Sequence, residues 1–403
     1  MSNKAPDFLI LALARWDAPY SSTAFSLAKA LSKKRRVFLI DNPFTFKDFI
    51  FSFFSPAIKK RRKALVFRHK VVHTSVSKHP QLFLAIPPLM LPINWLPPGS
   101  LYDFFARINQ RRMSHFLKKL TKEYELQNFH FLNIFNPFFE FNRLKIPQAL
   151  SNTYYTVDNI QESTYIKKHG PYLEEEYIRK AQLSLATSKY LAEQLENRLG
   201  TKISLLPNAA DTAFFSQALG VALDKPELYQ SWERPPIIYV GAIGFRINFS
   251  LLEEVVQAMP TQPFVFIGPK GYAYDPRLES YEHVHFTGPI PQNKLLPYLQ
   301  YAACGIIPFN INELTAAIYP LKIHEYLAAG LSVVSTPFSE DIMDFGEKIY
   351  LTKKHSDFGK FLLKAIQETD SSLKKQRSLD AEKHSWEARA EQLDRLLKPF
   401  ESG

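Results

Sequence analysis

Cysteine and long apolar runs are scarce in this 403-residue sequence, and each shortage excludes a class of protein. The single cysteine, Cys304, leaves neither a disulfide framework nor a cysteine-rich metal site. The first apolar run, residues 8–14, is too short for a signal peptide or a membrane span and predicts a buried strand. The longest later run, residues 82–98, contains five prolines, which a spanning helix tolerates poorly. We therefore expect a cytoplasmic protein without a transmembrane segment.

Negative charge is scarce in the first 120 residues, which hold 5 Asp/Glu against 21 Lys/Arg, whereas the rest of the chain holds 34 against 29. The densest basic piece, residues 46–70, sets phenylalanines beside the run KKRRK (59–63). Aromatic and basic side chains together suit an anionic membrane surface. A solvated basic loop beside core phenylalanines is an equally good interpretation. No DNA- or RNA-reading motif accompanies the charge, so we expect no nucleic-acid partner.

The order of apolar segments favours two α/β domains. The composition, 46% hydrophobic and 22% charged, is typical of a globular protein, and the length suits two cores. Short apolar segments alternate with helical patterns in two series, which predicts parallel sheets with crossover helices. Residues 216–236 contain three prolines and no clean period, so they predict a connection. The predicted domains are 1–215 and 216–380, with a closing helix at 381–403. The predicted strands lie at 8–14, 36–43, 129–136, 149–159, the start of 183–195, 236–244, 263–269, 284–290, 304–310 and 331–336.

The segment YPLKIHEYLAAGLSVVST, residues 319–336, predicts a helix that begins at Pro320 and stops at Gly330. The free N–H groups of its first turn, with Lys322, form a site that could hold a diphosphate without a metal. Glu325, one turn further on, could accept hydrogen bonds from two ribose hydroxyls. The alternative is that Lys322 and Glu325 form only a surface ion pair, which is common on helices.

This segment resembles the donor-binding helix of bacterial GT-B glycosyltransferases of family 4. Other pieces of the sequence resemble elements of that family in the same order along nearly the whole chain. TYYTVDNIQE, in particular, is similar to a loop of the subgroup that includes teichuronic-acid and related envelope-polysaccharide transferases. The further pieces are LATSKYLAEQL, LLPNAADTAFF, IIYVGAIGFRINFSLLEEV and HSWEARAEQL.

The resemblance implies the GT-B fold: two Rossmann-like domains that face a cleft, and a C-terminal helix that returns toward the N-terminal domain. It also implies that the N-terminal domain binds a glycan or lipid-linked acceptor and that the C-terminal domain binds a nucleotide-diphosphate sugar. Since ligands of such sheets bind beyond the C-terminal ends of the strands, we expect the site in the cleft. Synthesis of an envelope or surface polysaccharide at the inner face of the cytoplasmic membrane would fit.

Matching positions supply the donor-binding candidates, and two positions depart from the family pattern. Ala317 stands where the family has the first of two glutamates, and Ala242 where it has an arginine. Arg246 is the candidate replacement for pyrophosphate binding, although it could be a surface arginine. Glu313 could replace the missing glutamate, although a solvent-facing loop residue is the simpler interpretation. The donor-binding candidates are Gly241, Gly244, Arg246, Gly288, Pro320, Leu321, Lys322 and Glu325.

Two carboxylates are candidates for catalysis on the acceptor side. Asp158 resembles the position where relatives place a histidine or aspartate that faces the donor sugar, and it could accept a proton. It could instead cap a turn. Asp17 follows the first strand and is the second candidate, although its loop could simply cap the next helix through residues 21–23. His324 is expected to be a packing or surface histidine.

Metal independence follows from the absence of any Asp-x-Asp sequence, because the metal-bridged route of the other large transferase fold needs such ligands. No cofactor is expected besides the nucleotide sugar. Two other functions stay open: a sugar-nucleotide epimerase of the same fold, and a catalytically silent scaffold that sits on membranes. An oxidoreductase is disfavoured, because GAIGFR lacks the third glycine of the dinucleotide fingerprint.

Overall fold

The computed structural model describes residues 5–17, 22–67, 71–72, 79–144, 146, 149–161, 166–352 and 354–401. The chain forms two compact units. The first comprises Met1–Thr187, Leu191–Pro207 and Arg389–Gly403, and the second comprises Ser188–Tyr190 and Asn208–Ala388. The chain from Arg389 onward thus returns to the first unit, as the resemblance implied. The binding roles assigned to 1–215 and 216–380 stay predictions.

The first unit is built on a sheet with the strand order β3-β4-β2-β1-β5-β6-β7-β8. All its neighbouring strands are parallel except β3, which runs antiparallel to β4. In register, Ile10 of β1 pairs with Leu39 of β2 and with Leu132 of β5. The strands are β1 (Asp7–Ala12), β2 (Val37–Ile40), β3 (Val71–Val72), β4 (Leu82–Ala85), β5 (Phe129–Ile134), β6 (Ala149–Thr156), β7 (Leu183–Ala186) and β8 (Ser204–Leu205).

Helices cover the sheet of the first unit. The first begins where Ser22 caps it, with the Phe25 N–H donating to Ser22 Oγ at 3.2 Å. The longest places Met113, Phe116, Leu117 and Leu120 in the core. The helices are α1 (Thr23–Leu31), α2 (Phe46–Phe51), α3 (Pro56–Phe67), α4 (Ser100–Glu123), α5 (Phe141–Leu144), α6 (Gly170–Ile178), α7 (Lys189–Leu199, from Leu191 in this unit) and the last, α15 (Trp386–Leu397, from Arg389 in this unit).

The second unit has a fully parallel sheet with the order β11-β10-β9-β12-β13-β14. Ile238 of β9 pairs with Val265 of β10 and with Gly305 of β12. The strands are β9 (Ile237–Val240), β10 (Phe264–Ile267), β11 (Val284–Gly288), β12 (Cys304–Ile307), β13 (Ser332–Ser335) and β14 (Tyr350–Leu351). The helices are α8 (Thr212–Phe215), α9 (Phe249–Ala258), α10 (Leu296–Gln300), α11 (Glu313–Ala316), α12 (Leu321–Ala328), α13 (His355–Gln367) and α14 (Ser371–Glu382).

Each predicted strand overlaps a strand of the structure, so the two parallel α/β sheets are confirmed. Residues 216–236, predicted as a connection, instead lie inside the second unit. Tyr229 is buried in its core and stacks on Trp232 with 5.1 Å between ring centroids. Isolated aromatic residues, and not a periodic apolar pattern, anchor this segment in the core. Because the segment has no apolar period, its sequence suggested a linker. Among the described helices, none is both long and apolar enough to cross a membrane.

Candidate functional site

The strand order of the second unit defines a crevice at the carboxyl ends of β9 and β12. Numbered within the unit, the order is 3-2-1-4-5-6, so the connections leave these two neighbouring strands in opposite directions. Parallel sheets bind ligands at this switch point. The loop after β9 carries Gly241, Gly244 and Arg246, and the chain after β12 leads through α11 to α12.

Glycines let the loops after β9, β10 and β11 approach one another. A Cβ on Gly268 would lie 1.9 Å from the carbonyl oxygen of Gly241, and one on Gly244 would lie 2.4 Å from that of Tyr272. The Gly268 N–H donates to the Gly288 carbonyl at 3.0 Å. The atoms that crowd Gly244 and Gly268 are thus protein backbone. Gly288, with φ +72°, has no atom within 4 Å of its Cβ position, so its glycine is required by the backbone conformation and not by crowding.

Helix α12 is fixed against the end of β9 by Tyr326. The Val240 N–H donates to the Tyr326 hydroxyl oxygen at 2.8 Å, and Gly305 leaves room for the tyrosine ring. The helix begins at Leu321, one residue later than predicted, because Pro320 has ψ 74° and is the N-cap. No side chain caps this end. Leu321, a donor-binding candidate, is half-buried in the first turn. The Leu321 and Ile323 N–H groups donate to the carbonyls of Tyr319 and Pro320 at 2.9 and 3.2 Å, so the first turn keeps the positive end of the helix dipole but offers few free N–H groups.

Lys322 and Glu325 form an ion pair on this helix. Lys322 Nζ lies 2.6 Å from Glu325 Oε2, and the side chains are 31% and 16% exposed. The pair matches the simpler interpretation made from the sequence. It also holds a cation and a carboxylate side by side within the first turn and a half of α12, where both stay accessible to a ligand.

Arg246 lies in the loop between β9 and α9 and is half-buried. Its backbone carbonyl accepts from the Asn310 N–H at 2.8 Å, which ties this loop to the end of β12. The guanidinium stacks 5.3 Å from the Phe245 ring centroid, and its buried Nε has no hydrogen-bond partner. Within the described part of the chain, no carboxylate forms a salt bridge with Arg246. This arginine is therefore a cation without a counter-ion at the switch point.

The positions around the missing family glutamate are also defined. Ala317 is 5% exposed and follows α11 directly. Glu313 is exposed in the first turn of α11, as expected of a solvent-facing residue. His324 is fully buried, 3.0 Å from the Tyr319 hydroxyl and stacked on His384, so the packing interpretation of this histidine is confirmed.

The two catalytic candidates belong to the first unit, and they differ in exposure and pairing. Asp158 follows β6, is exposed, and accepts the Asn159 N–H at 2.8 Å. Asp17 follows β1 and accepts two hydrogen bonds from Arg61, at 2.6 and 2.9 Å. Burial alone would raise the pKa of Asp17, but the hydrogen bonds and charge of Arg61 outweigh it and lower the pKa. Asp17 is thus a weaker proton acceptor than an unpaired aspartate.

Arg61 also binds Asp41, and the sequence did not reveal this cluster. Arg61 is 1% exposed, and its Nε donates to Asp41 Oδ2 at 2.5 Å. Burial raises the pKa of Asp41, with Arg61 opposing the shift. In the sequence, Arg61 is one of five consecutive basic residues, which suggested either a membrane-facing surface or a solvated loop. The apolar neighbours Ile58 and Ala64, both buried and three residues to either side, were the available signal.

Glu174 is a second group that the sequence did not reveal. It lies on α6 and is buried, and it accepts hydrogen bonds from Thr156 Oγ1 at 2.9 Å and Tyr154 Oη at 3.3 Å. Both donors belong to β6, the strand that leads to Asp158. Burial raises the pKa of Glu174 to about 7. These two hydrogen bonds thus hold α6 against the carboxyl end of β6.

In the described residues, no group of three or more histidine, cysteine, aspartate or glutamate side chains is arranged to hold a metal ion. Metal independence stays a prediction.

Residues 234–368, which lie within the second unit, match the family model described as Glycosyl transferases group 1. The chain is also 27% identical over 165 residues to TuaH of Bacillus subtilis (strain 168), which is named as a teichuronic acid biosynthesis glycosyltransferase. That similarity covers 40% of this chain and 41% of TuaH, so the chain matches about two fifths of the length of this curated relative.

Solved structures match the chain over nearly its whole length. Sucrose-phosphate synthase from Thermosynechococcus elongatus aligns with a TM-score of 0.63 at 14% identity and covers 98% of this chain and 99% of its own. A glycosyltransferase from Rickettsia africae aligns with a TM-score of 0.61 at 10% identity and covers all of both chains. At these identities the likeness concerns the fold alone. With the two Rossmann-type sheets it defines the GT-B fold, which confirms the predicted fold class.

Proposed function

We propose that the protein transfers a sugar from a nucleotide-diphosphate donor to a glycan or lipid-linked acceptor in the synthesis of an envelope polysaccharide. The observation that carries the proposal is the electropositive switch point of the second unit. There, the uncapped N-terminus of α12, Lys322 and the unpaired Arg246 lie within residues 234–368, which match the glycosyltransferase family. The similarity to TuaH supports an envelope polysaccharide as the product.

The positive groups would stabilise the departing nucleotide diphosphate. Charge develops on the diphosphate as the bond to the sugar breaks, and fixed donors that face it lower the barrier without needing to reorganise. Lys322 can serve this purpose because a ligand phosphate can replace or share its contact with Glu325. The same electrostatic role is often taken by a metal ion, and we propose that this chain supplies it with side chains and backbone alone.

Glu325 would accept hydrogen bonds from the ribose hydroxyls. Its side chain is only 16% exposed, so the surrounding protein already limits its freedom and little is lost on binding. On the acceptor side, we assign the proton-accepting or sugar-binding role to Asp158, because it is exposed. Asp17 is committed to Arg61, and we assign it to the support of the loop after β1.

Release of nucleotide diphosphate from a panel of sugar donors tests the proposal, measured with and without acceptor and with and without EDTA. We expect release with at least one donor, dependent on acceptor and unchanged by EDTA. No release from any donor would refute the proposal, and strict metal dependence would refute the metal-free part. Product formed from the donor without acceptor would indicate epimerisation instead.

The ribose assignment is tested by Glu325→Ala, which we expect to raise the Kd of the nucleotide diphosphate about tenfold or more. Glu282→Ala removes an exposed glutamate of the same unit and is the matched control. Equal Kd values for the two variants would exclude the assignment. Glu313→Ala tests whether this residue replaces the missing family glutamate. If it does, the variant should bind the nucleotide sugar more weakly than the parent protein does but bind the free nucleotide diphosphate equally well.

We further propose that the first unit lies on an anionic membrane. Ile50, Phe51 and Phe54 are 69, 81 and 77% exposed, and the basic helix α3 follows them. Apolar side chains beside basic ones are typical of interfacial binding. The protein should sediment with vesicles that contain about 30% phosphatidylglycerol and be released by salt. Equal binding to neutral vesicles would contradict the electrostatic part.

A further inference from the structure

A groove of about 690 Å³ lies in the first unit between α4, the end of α3 and the chain after β4. From α4 it is lined by the cationic side chains of Arg111, Arg112 and Lys119, and by His115. Its apolar wall includes residues 86–89. No acidic residue lines the described part of this groove. Such a combination is unusual for a solvated surface, where charges of both signs are usually interspersed.

The positive charges of the groove are not neutralised by the protein. Within the described residues, no carboxylate forms a salt bridge with Arg111, Arg112 or Lys119. The first 120 residues contain five acidic residues, and two of them, Asp17 and Asp41, are engaged by Arg61. The cations of the groove are therefore balanced by no described carboxylate and are available to an external anion.

Arg112 is held in place for such a counter-ion. Its Nε donates to the carbonyl of Leu89 at 2.9 Å, and its guanidinium lies 5.3 Å from the Phe46 ring centroid. These contacts fix the guanidinium plane and leave its terminal N–H groups available for an anion. A planar, fixed guanidinium suits the paired oxygens of a phosphate.

The apolar wall determines which phosphate would fit. Pro87 and Pro88 have no backbone N–H, so this part of the wall offers no main-chain donors. Val66, at the end of α3, is 52% exposed and borders the same groove. A free phosphate would leave this surface in contact with water. A phosphate that carries a hydrocarbon chain would cover it and gain about 25 cal/mol for each Å² buried.

We propose that this groove binds one lipid molecule, with its phosphate on the α4 cations and the start of its hydrocarbon chain along residues 86–89. The site would recognise a lipid phosphate as an individual ligand, which differs from adsorption of the whole unit onto a charged surface. Lipid binding here does not depend on glycosyl transfer and is measured without turnover, so its failure leaves the proposed function untouched.

Binding of dihexanoyl phosphatidic acid, used as a monomer below its micelle concentration at about 150 mM NaCl, tests the proposal by titration calorimetry. The variant Arg111→Glu/Lys119→Glu changes two exposed groove residues. The control Lys118→Glu/Lys122→Glu makes the same charge change on the same helix at exposed positions that do not line the groove. We expect the groove variant to lose at least about tenfold in affinity and the control to lose less than about threefold. Equal losses would overturn the site, because they would indicate diffuse attraction to α4.

Two further ligands test separately how much the phosphate and the hydrocarbon chain contribute to binding. Inorganic phosphate should bind the parent protein at least about tenfold more weakly than the lipid, since it cannot cover the apolar wall. Equal affinities would overturn the lipid assignment. Octanol-saturated buffer, which supplies hydrocarbon without phosphate, should not displace the lipid. If the charge-reversed variant fails to fold, Arg111→Gln/Lys119→Gln is measured instead, with Lys118→Gln/Lys122→Gln as its control and the same expectation.

Discussion

At the carboxyl edge of the first sheet, the charged side chains are largely buried and form ion pairs. At the carboxyl edge of the second sheet, they are half-buried and lie beside loops whose glycines leave the backbone with few side chains around it. Arg61 joins Asp17 and Asp41, which follow β1 and β2. In the second unit, the corresponding loops meet through Gly241 and Gly268, and Arg246 has no carboxylate partner among the described residues. Each edge includes the switch point of its sheet, which lies between β1 and β5 in the first unit and between β9 and β12 in the second.

The difference shows how one architecture can serve structural support and anion binding. An ion pair that is saturated inside the protein holds loops but has no capacity left for a ligand. The positive end of the α12 dipole and the half-buried cations Lys322 and Arg246 can still take up an anion, which is what a diphosphate requires. The comparison leads to four predictions, in order of decreasing effect.

Removing Arg61 should cost the most stability. Arg61→Met would leave Asp41 buried without its partner, and we expect a loss of about 3–5 kcal/mol in the free energy of unfolding at pH 7.5, measured by urea denaturation. The loss should shrink as the pH falls toward 4, where protonation relieves the unpaired carboxylates. Lys63→Met, at an exposed position of the same helix, should change stability by less than about 0.5 kcal/mol. Similar losses for both variants would show that the cluster is not structural.

Adding one methyl group at Gly268 should disrupt the second edge. Gly268 has φ +152°, and a Cβ there would collide with the Gly241 carbonyl, so Gly268→Ala should cost about 3 kcal/mol in urea denaturation. Gly288→Ala is the control, because its φ of +72° is strained but no atom lies within 4 Å of its Cβ position. We expect about 1 kcal/mol for the control. The close approach of the loops would be disproved if Gly268→Ala were the milder change.

The buried Glu174 should make the first unit sensitive to pH. Because its pKa is raised to about 7 in the folded protein, its proton is bound more tightly there than in the unfolded chain. This contribution to stability is complete below pH 4.5, the ordinary value, and is lost as the pH rises through 7; it amounts to about 3 kcal/mol. In Glu174→Gln, the free energy of unfolding measured by urea denaturation should depend less on pH between pH 5 and 8. Glu193→Gln, at an exposed position of α7 in the same unit, should leave the pH dependence unchanged, and a parallel flattening in both variants would refute the assignment.

The ion pair of α12 should matter least for stability. The Lys322 and Glu325 side chains are partly exposed, so Lys322→Ala should cost less than about 1 kcal/mol in unfolding free energy. The same variant should raise the Kd of a nucleotide diphosphate about tenfold, because a phosphate contact is lost. Lys294→Ala, an exposed lysine of the same unit, should change neither quantity. A stability loss above 2 kcal/mol with unchanged affinity would make this pair structural, like that of Arg61.

The strands could be predicted because parallel strands are buried on both faces and appear as apolar runs. Segments such as 129–136 and 304–310 therefore lie within two or three residues of β5 and β12. Four strands were not predicted: β3, β8 and β14 have only two residues each, and the four residues of β4 merge with the proline-rich run that follows. The segment 216–236 was assigned to a connection, since periodicity cannot detect a core contact made by isolated residues such as Tyr229.

The residues of the candidate site likewise fall into those whose contacts the sequence could predict and those whose contacts it could not. Residues close in sequence, such as Lys322 and Glu325, could be paired in advance because helix geometry places positions three apart on one face. Arg61 and Asp17 are 44 residues apart, and nothing in their local sequence couples them. The environment of Glu174 also depends on a different element, β6, that covers it.

The sequence by itself determined two parallel α/β units, the helix from 321 to 328 with its Lys322–Glu325 pair, and the excess of positive charge in the first 120 residues. These properties follow from local periodicity and composition. Only the tertiary structure decided which basic residues are buried supports, such as Arg61, and which remain without a counter-ion, such as Arg246 and the cations of α4. The physical reason is that the role of a charge depends on its burial and its partner, and both are supplied by segments distant in the chain.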